Sequence, residues 1–92
     1  MATYKLTVTN NGVEETHEVK VTIADLARFD ILRNRNGYPS QEEAQYLFMI
    51  LVSYCSLVRT GIVASTVKPD DFINTVVNLE PEESEDVEPS KS

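Results

Sequence analysis

From Tyr46 to Val58 thirteen residues run almost without a break in apolar character, and only Ser53 and Ser56 interrupt them. The run is too short to span a bilayer. Ala44, Leu47, Phe48, Leu51, Tyr54, Cys55 and Val58 recur at spacings of three and four, the mark of a helix. Met49, Ile50, Val52 and Leu57 widen the stripe until most sides of that helix are apolar. A helix of this kind must be covered on most sides, either by the rest of the 92-residue chain or in part by a partner. Ser40 with Glu43 reads as a capping box opening the helix, and Arg59-Thr60-Gly61 closes it. The pattern predicts a helix over about 41–59, roughly 28 Å long, as the central element.

The cover comes from both sides in sequence. Tyr4, Leu6 and Val8 alternate with Thr3, Lys5, Thr7 and Thr9, the period of a half-buried strand. Asn11-Gly12 follows, a strong signal for a tight hairpin turn. The return run reaches Val21 and puts Val13, Glu15, His17, Val19 and Val21 on one side. Its apolar character lies near its end, so the turn end of the hairpin, spanning 3–21, is expected to be solvated. Thr22 and Asp25 have the spacing of a cap for a helix over about 23–34. Ile23, Leu26, Ala27 and Ile31 define its apolar face, widened by Phe29 and Leu32, with Arg28, Arg33 and Arg35 left to solvent. Asn36-Gly37 and Pro39 stop it. After a connector, Pro69-Asp70-Asp71 opens a third helix over about 70–78, lined by Phe72, Ile73, Val76 and Val77 and limited by Pro81.

These elements predict an α+β fold, an N-terminal β-hairpin packed on about three helices, in a single domain over 1–79. From Glu80 the chain carries six acidic side chains, one lysine and two prolines, with almost nothing apolar. Such a segment, 80–92, reads as a flexible acidic tail. Of the net charge of −7, the tail holds −5 and residues 1–79 hold −2. A nearly neutral body with an acidic tail argues against duplex nucleic acid as a partner.

Catalytic chemistry needs a constellation of groups, and none assembles from the sequence. His17 is the only histidine and sits among charges; Cys55 is the only cysteine and lies on an apolar helix. Asp70 and Asp71 read as helix-start residues. No phosphate loop or metal-ligand spacing is present, so no enzyme activity, cofactor or metal is expected. The N-terminal residues alternate instead of forming an apolar leader, which makes the cytosol the expected compartment. Three features are candidates for binding. They are the surplus apolar surface at Met49, Ile50 and Leu57, the arginines Arg28, Arg33 and Arg35, and the free edge of the hairpin. Homo-oligomerisation is left open.

The order of features carries a resemblance. Asp25 through Asp30, then Gly37-Tyr38-Pro39-Ser40, the long apolar helix ending Val58-Arg59-Thr60-Gly61, and Asp70-Asp71-Phe72 before Val76-Val77 resemble the small tail assembly chaperones of long-tailed bacteriophages. The similarity runs from Val19 to Pro81, about two thirds of the chain. Tyr38-Pro39 stands where members often have tryptophan-proline, and no tryptophan occurs here. The resemblance implies an assembly factor of the host cytoplasm, absent from the mature virion. Its partners are then the tape measure protein, the major tail tube protein and a frameshifted longer form of itself. Arg59 and Phe72 match recurring positions and join Arg28, Met49, Ile50 and Leu57 as the expected protein-binding residues. The competing expectations are a structural adaptor of the virion and, behind it, a nucleic-acid-binding regulator working through the arginines.

Overall fold

In the computed structural model, which describes residues 2–82, Asn11 and Gly12 turn the chain with φ of 53° and 83°. Both central positions of this turn need the left-handed region, which glycine and asparagine adopt most readily. Strands β1 (Thr3–Asn10) and β2 (Val13–Lys20) pair antiparallel in one unbroken register, from Thr3↔Lys20 to Asn10↔Val13. Tyr4, Leu6 and Val19 are buried on one face, while Lys5, Thr16 and Glu18 line the open face. Val13 and Glu15, on the inward side near the turn, stay exposed as expected.

Helix α1 (Ile23–Asn36) opens on the cap that Thr22 and Asp25 were expected to form: each side chain bonds the other's backbone N–H. It runs two residues past its expected end, because the left-handed residue that closes it is Gly37, whose N–H reaches the Arg33 carbonyl at 2.8 Å. The buried face of α1 is a correction. Asp25 and Phe29 are buried, with Leu26 and Leu32 partly so, whereas Ile23 is 65% and Ile31 48% exposed. Two contacts set this phase: Asp25 is held from α2, and the Phe29 ring meets Phe48 edge-on at 5.0 Å.

Ser40 and Glu43 form their reciprocal hydrogen bonds, yet they close one isolated turn. Ala44 then breaks the path with φ −146° and ψ 81°, and helix α2 occupies Gln45–Arg59 instead of 41–59. Every residue from Leu51 to Leu57 is buried. Helix α2 packs against β2, α1 and α3 (Pro69–Ile73), so it is the central element.

The last described segment differs most from expectation. The helix expected over 70–78 ends at Ile73, and β3 (Val76–Glu82) follows. It pairs antiparallel with β1, giving the sheet order β2-β1-β3. Thr75 makes the transition: its hydroxyl donates to the Phe72 carbonyl at 2.7 Å and its carbonyl accepts from Thr9 N–H at 2.8 Å. Thr7 pairs with Asn78 and Val8 with Val76, so Val77 is a bulge residue, 52% exposed. The bulge restores the alternation that sends Val76 and Leu79 against the core. Pro81 is tolerated because β3 is an edge strand. The folded unit therefore extends through Glu82, past the expected boundary at 79, and Glu80 to Glu82 belong to the sheet. Of the expected tail, 83–92 lies outside the described residues.

Candidate functional site

The first turn of α1 and the last turn of α2 are joined by an ion pair. Asp25 is 0% exposed, and its carboxylate already accepts the Thr22 N–H at 2.9 Å. Arg59 adds two bonds, from Nε to Oδ1 at 2.8 Å and from Nη2 to Oδ2 at 3.2 Å. The same Nη2 lies 3.4 Å from the Lys20 carbonyl oxygen and 3.3 Å from Ser56 Oγ. Ser56 in turn donates to that carbonyl at 3.3 Å. One cluster thus ties together the end of β2, the start of α1 and the end of α2. Burial pushes the Asp25 carboxyl up, but the hydrogen bonds from Arg59 and Thr22 and the Arg59 charge outweigh it and hold the group below its ordinary value. Arg59, expected to close α2 with Thr60 and Gly61, has as its main partner a carboxylate 34 residues away in the chain.

Beside this clasp α1 and α2 leave a groove of about 510 Å³. Its floor is apolar, formed by Ile31 and Leu32 of α1 with Tyr54, Cys55 and Val58 of α2. Its rim is basic, with Arg28 and Arg35 from α1 and Arg59 from α2. Ala24 and Ser65 complete the wall. Positions 24, 28, 31 and 35 follow one another at four, three and four residues, a single strip along α1 about 16 Å long. Among the described residues neither Arg28 nor Arg35 has an ion-pair partner. The loop that carries Ser65 is anchored by the Tyr54 hydroxyl, which donates to the Val67 carbonyl. Tyr38 donates to the Asp70 carboxylate, and burial together with that carboxylate pushes its phenol up to about 12.

The groove unites two of the residues expected to bind a partner, Arg28 and Arg59. The others lie elsewhere. Met49, Leu57 and Phe72 are 7%, 2% and 3% exposed and belong to the core, and Ile50 packs against it partly buried. The surplus surface expected from α2 is thus largely consumed within the domain, because the sheet, α1 and α3 surround it. Arg33 separates from Arg28 and Arg35, lining a different cavity with Phe29, Ser40 and Phe48. Ile31 and Tyr54 were not expected at a site. The strip Arg28, Ile31, Arg35 is visible at helical spacing, but its apolar character puts Ile31 on the expected core face.

Cys55 borders the groove with a neutral thiol, pushed up to about 11 by burial and the Asp25 charge against an opposing influence of Arg28. A thiol so placed is a poor nucleophile. His17 lies 3.5 Å from a Glu15 carboxylate oxygen, over a smaller cavity of about 230 Å³ that Leu57 and Phe72 also line. Among the described residues no group of three or more His, Cys, Asp or Glu side chains is placed to hold a metal ion. No described helix is long and apolar enough to cross a membrane. What the groove offers chemically is an apolar surface beside guanidinium groups, the equipment of a binding site.

Comparison with protein-family models, with curated proteins and with solved structures finds no match for this chain.

Proposed function

We propose that this chain is a tail assembly chaperone of a long-tailed bacteriophage, holding an apolar helical segment of the tape measure protein in the groove between α1 and α2. The observation that carries the reading is the groove itself: an apolar floor left open beside a helix whose stretch from Leu51 to Leu57 is buried. A tape measure protein is long, helical and apolar, and a helix lying in a groove between two helices is a recurrent mode of recognition. The resemblance over Val19 to Pro81 supplies the biological setting. In that setting the protein acts in the host cytoplasm, helps recruit tail tube subunits to the tape measure protein, and is absent from the mature virion.

Tagged co-expression with the tape measure and tail tube proteins tests the reading. A tape measure protein that becomes soluble and co-purifies, together with absence of the chain from purified particles, is the expected result. Retention of the chain in particles without any gain in tape measure solubility assigns it instead to the virion as a structural adaptor.

A further inference from the structure

We infer that the groove selects an acidic amphipathic helix: about three turns long, with an apolar stripe laid on Ile31, Tyr54 and Val58 and carboxylates set against Arg28 and Arg35. This deepens the chaperone reading and rests on it for the identity of the partner. Three lines converge on the occupant's chemistry.

The first is length. The α1 strip from Ala24 to Arg35 covers eleven residue steps, about 16 Å, which three turns of a second helix match. The second is the unbalanced charge. Arg59 is engaged by Asp25, so that pair contributes little net charge, while Arg28 and Arg35 have no ion-pair partner among the described residues. Two positive charges therefore flank the apolar floor, on a chain whose net charge is −7. An acidic partner meets general repulsion and finds attraction here, which makes the groove the selective site for it. Apolar surface beside the guanidinium groups excludes water once a helix is seated, and that strengthens each charged contact.

The third line is spacing. Arg28 and Arg35 lie seven residues apart, two turns, so their side chains leave the same side of α1 about 10 Å apart. An occupant running alongside α1 meets both when its own carboxylates stand seven positions apart beside the apolar stripe. Arginine holds a carboxylate through two parallel N–H donors, which adds orientation to attraction. The clasp at Asp25 and Arg59 fixes the end of the groove.

Three alanine-based helical peptides of about 14 residues test the inference. All carry the same leucine stripe, with Glu, Gln or Lys at the two flanking positions seven apart. Binding to the full chain is followed by fluorescence anisotropy and by amide chemical shifts. The Glu peptide is expected to bind about tenfold tighter than the Gln peptide, to shift Ile31 and Tyr54, and to lose its advantage in high salt. The Lys peptide is expected not to bind. Arg28→Gln with Arg35→Gln removes the preference for Glu. Arg28→Glu with Arg35→Glu transfers it to the Lys peptide, with circular dichroism of each variant confirming the fold. Equal binding of the Glu and Gln peptides, or shifts confined to other surfaces, overturns the inference. Concentration-dependent dimerisation that Ile31→Ser abolishes makes a second copy the occupant and also overturns it. So does movement of the Ile31 and Tyr54 signals when Glu83, Glu85, Asp86 and Glu88 are neutralised in the full chain, since the occupant is then the chain's own acidic segment. Co-expression separates this inference from the chaperone reading. If the tape measure protein is held equally by wild type and by the Arg28→Gln, Arg35→Gln variant, the acidic occupant falls and the chaperone stands. If it is never held while the Glu peptide binds through the arginines, the chaperone falls and the groove's selectivity stands.

Discussion

Helix α2 and helix α1 touch along one side, yet their apolar residues meet opposite fates. In α2 seven consecutive residues, Leu51 to Leu57, are buried, including two serines that a surface count would place outside. In α1 the apolar residues Ile23 and Ile31 are 65% and 48% exposed, while the charged Asp25 is completely buried. In sequence α1 carries one apolar face, while α2 is apolar on most sides. The difference lies in how many neighbours each one has: α2 is enclosed by the sheet, α1 and α3, whereas α1 packs chiefly on α2. A peripheral helix leaves apolar surface such as Ile31 open at the groove, whereas the central helix lends the floor Tyr54 and Cys55, which are largely buried.

Substitutions at the two helices test how sharp that contrast is. Leu51 has no exposed surface and supports the whole core. Its replacement by alanine is expected to cost about 3 kcal/mol in urea unfolding; a cost below about 1 kcal/mol means that the central helix is less tightly enclosed than its burial indicates. Asp25→Asn strikes the seam between the helices and is expected to cost about 1–2 kcal/mol at neutral pH, less than for a fully buried pair because the Arg59 side chain is 40% exposed. The pH dependence has a definite sign. The folded-state value of Asp25 is depressed, so its carboxylate stabilises the fold above its unfolded value of about 3.9, and the contribution disappears as pH falls through the lower folded value. The wild type should therefore lose stability below about pH 4 more steeply than the Asn variant, as thermal melts across that range will read. A parallel decline in both proteins assigns acid sensitivity to other carboxylates.

Smaller effects refine the picture. Ser53 is 0% exposed and its Oγ has no hydrogen-bond partner among the described residues. Ser53→Ala is expected to raise stability by about 1 kcal/mol, since it removes a buried hydroxyl without opening a large cavity. A loss of stability instead shows that the hydroxyl is solvated or bonded in solution. Ile31→Ser should change unfolding free energy by no more than about 0.5 kcal/mol, although it removes an apolar contact from the groove floor. A larger loss places Ile31 in the core and removes the contrast between the helices.

Much of the local structure was legible because its causes are local. Asn11-Gly12 requires left-handed backbone and supplies it; Thr22 with Asp25, and Ser40 with Glu43, answer free N–H groups three residues away. Even here one outcome depended on more than the motif, since the Ser40 box closes a turn that Ala44 separates from α2. The segment 76–82 was not legible. Val76 and Val77 fit a helix stripe as well as a strand, and Glu80, Pro81 and Glu82 look like the start of a solvated tail. What makes them a strand is pairing with β1, about seventy residues earlier, and a bulge at Val77 that no local pattern announces. The candidate site divided in the same way. Arg28 and Arg35 stood out as helix-surface arginines, whereas the inclusion of Tyr54, Cys55 and Arg59 required the packing of α1 on α2.

By itself the sequence determined the hairpin and its turn, the capped start of the first helix, and a central apolar helix that needed cover on most sides. Each follows from hydrogen bonds or periodicities within a few residues along the chain. Tertiary structure decided which face of α1 turns inward, where Arg59 finds its carboxylate, how Val76–Glu82 completes the sheet, and that an apolar floor and an arginine rim share one groove. Those features depend on groups far apart in the chain, whose energies count only once folding has brought them within contact distance.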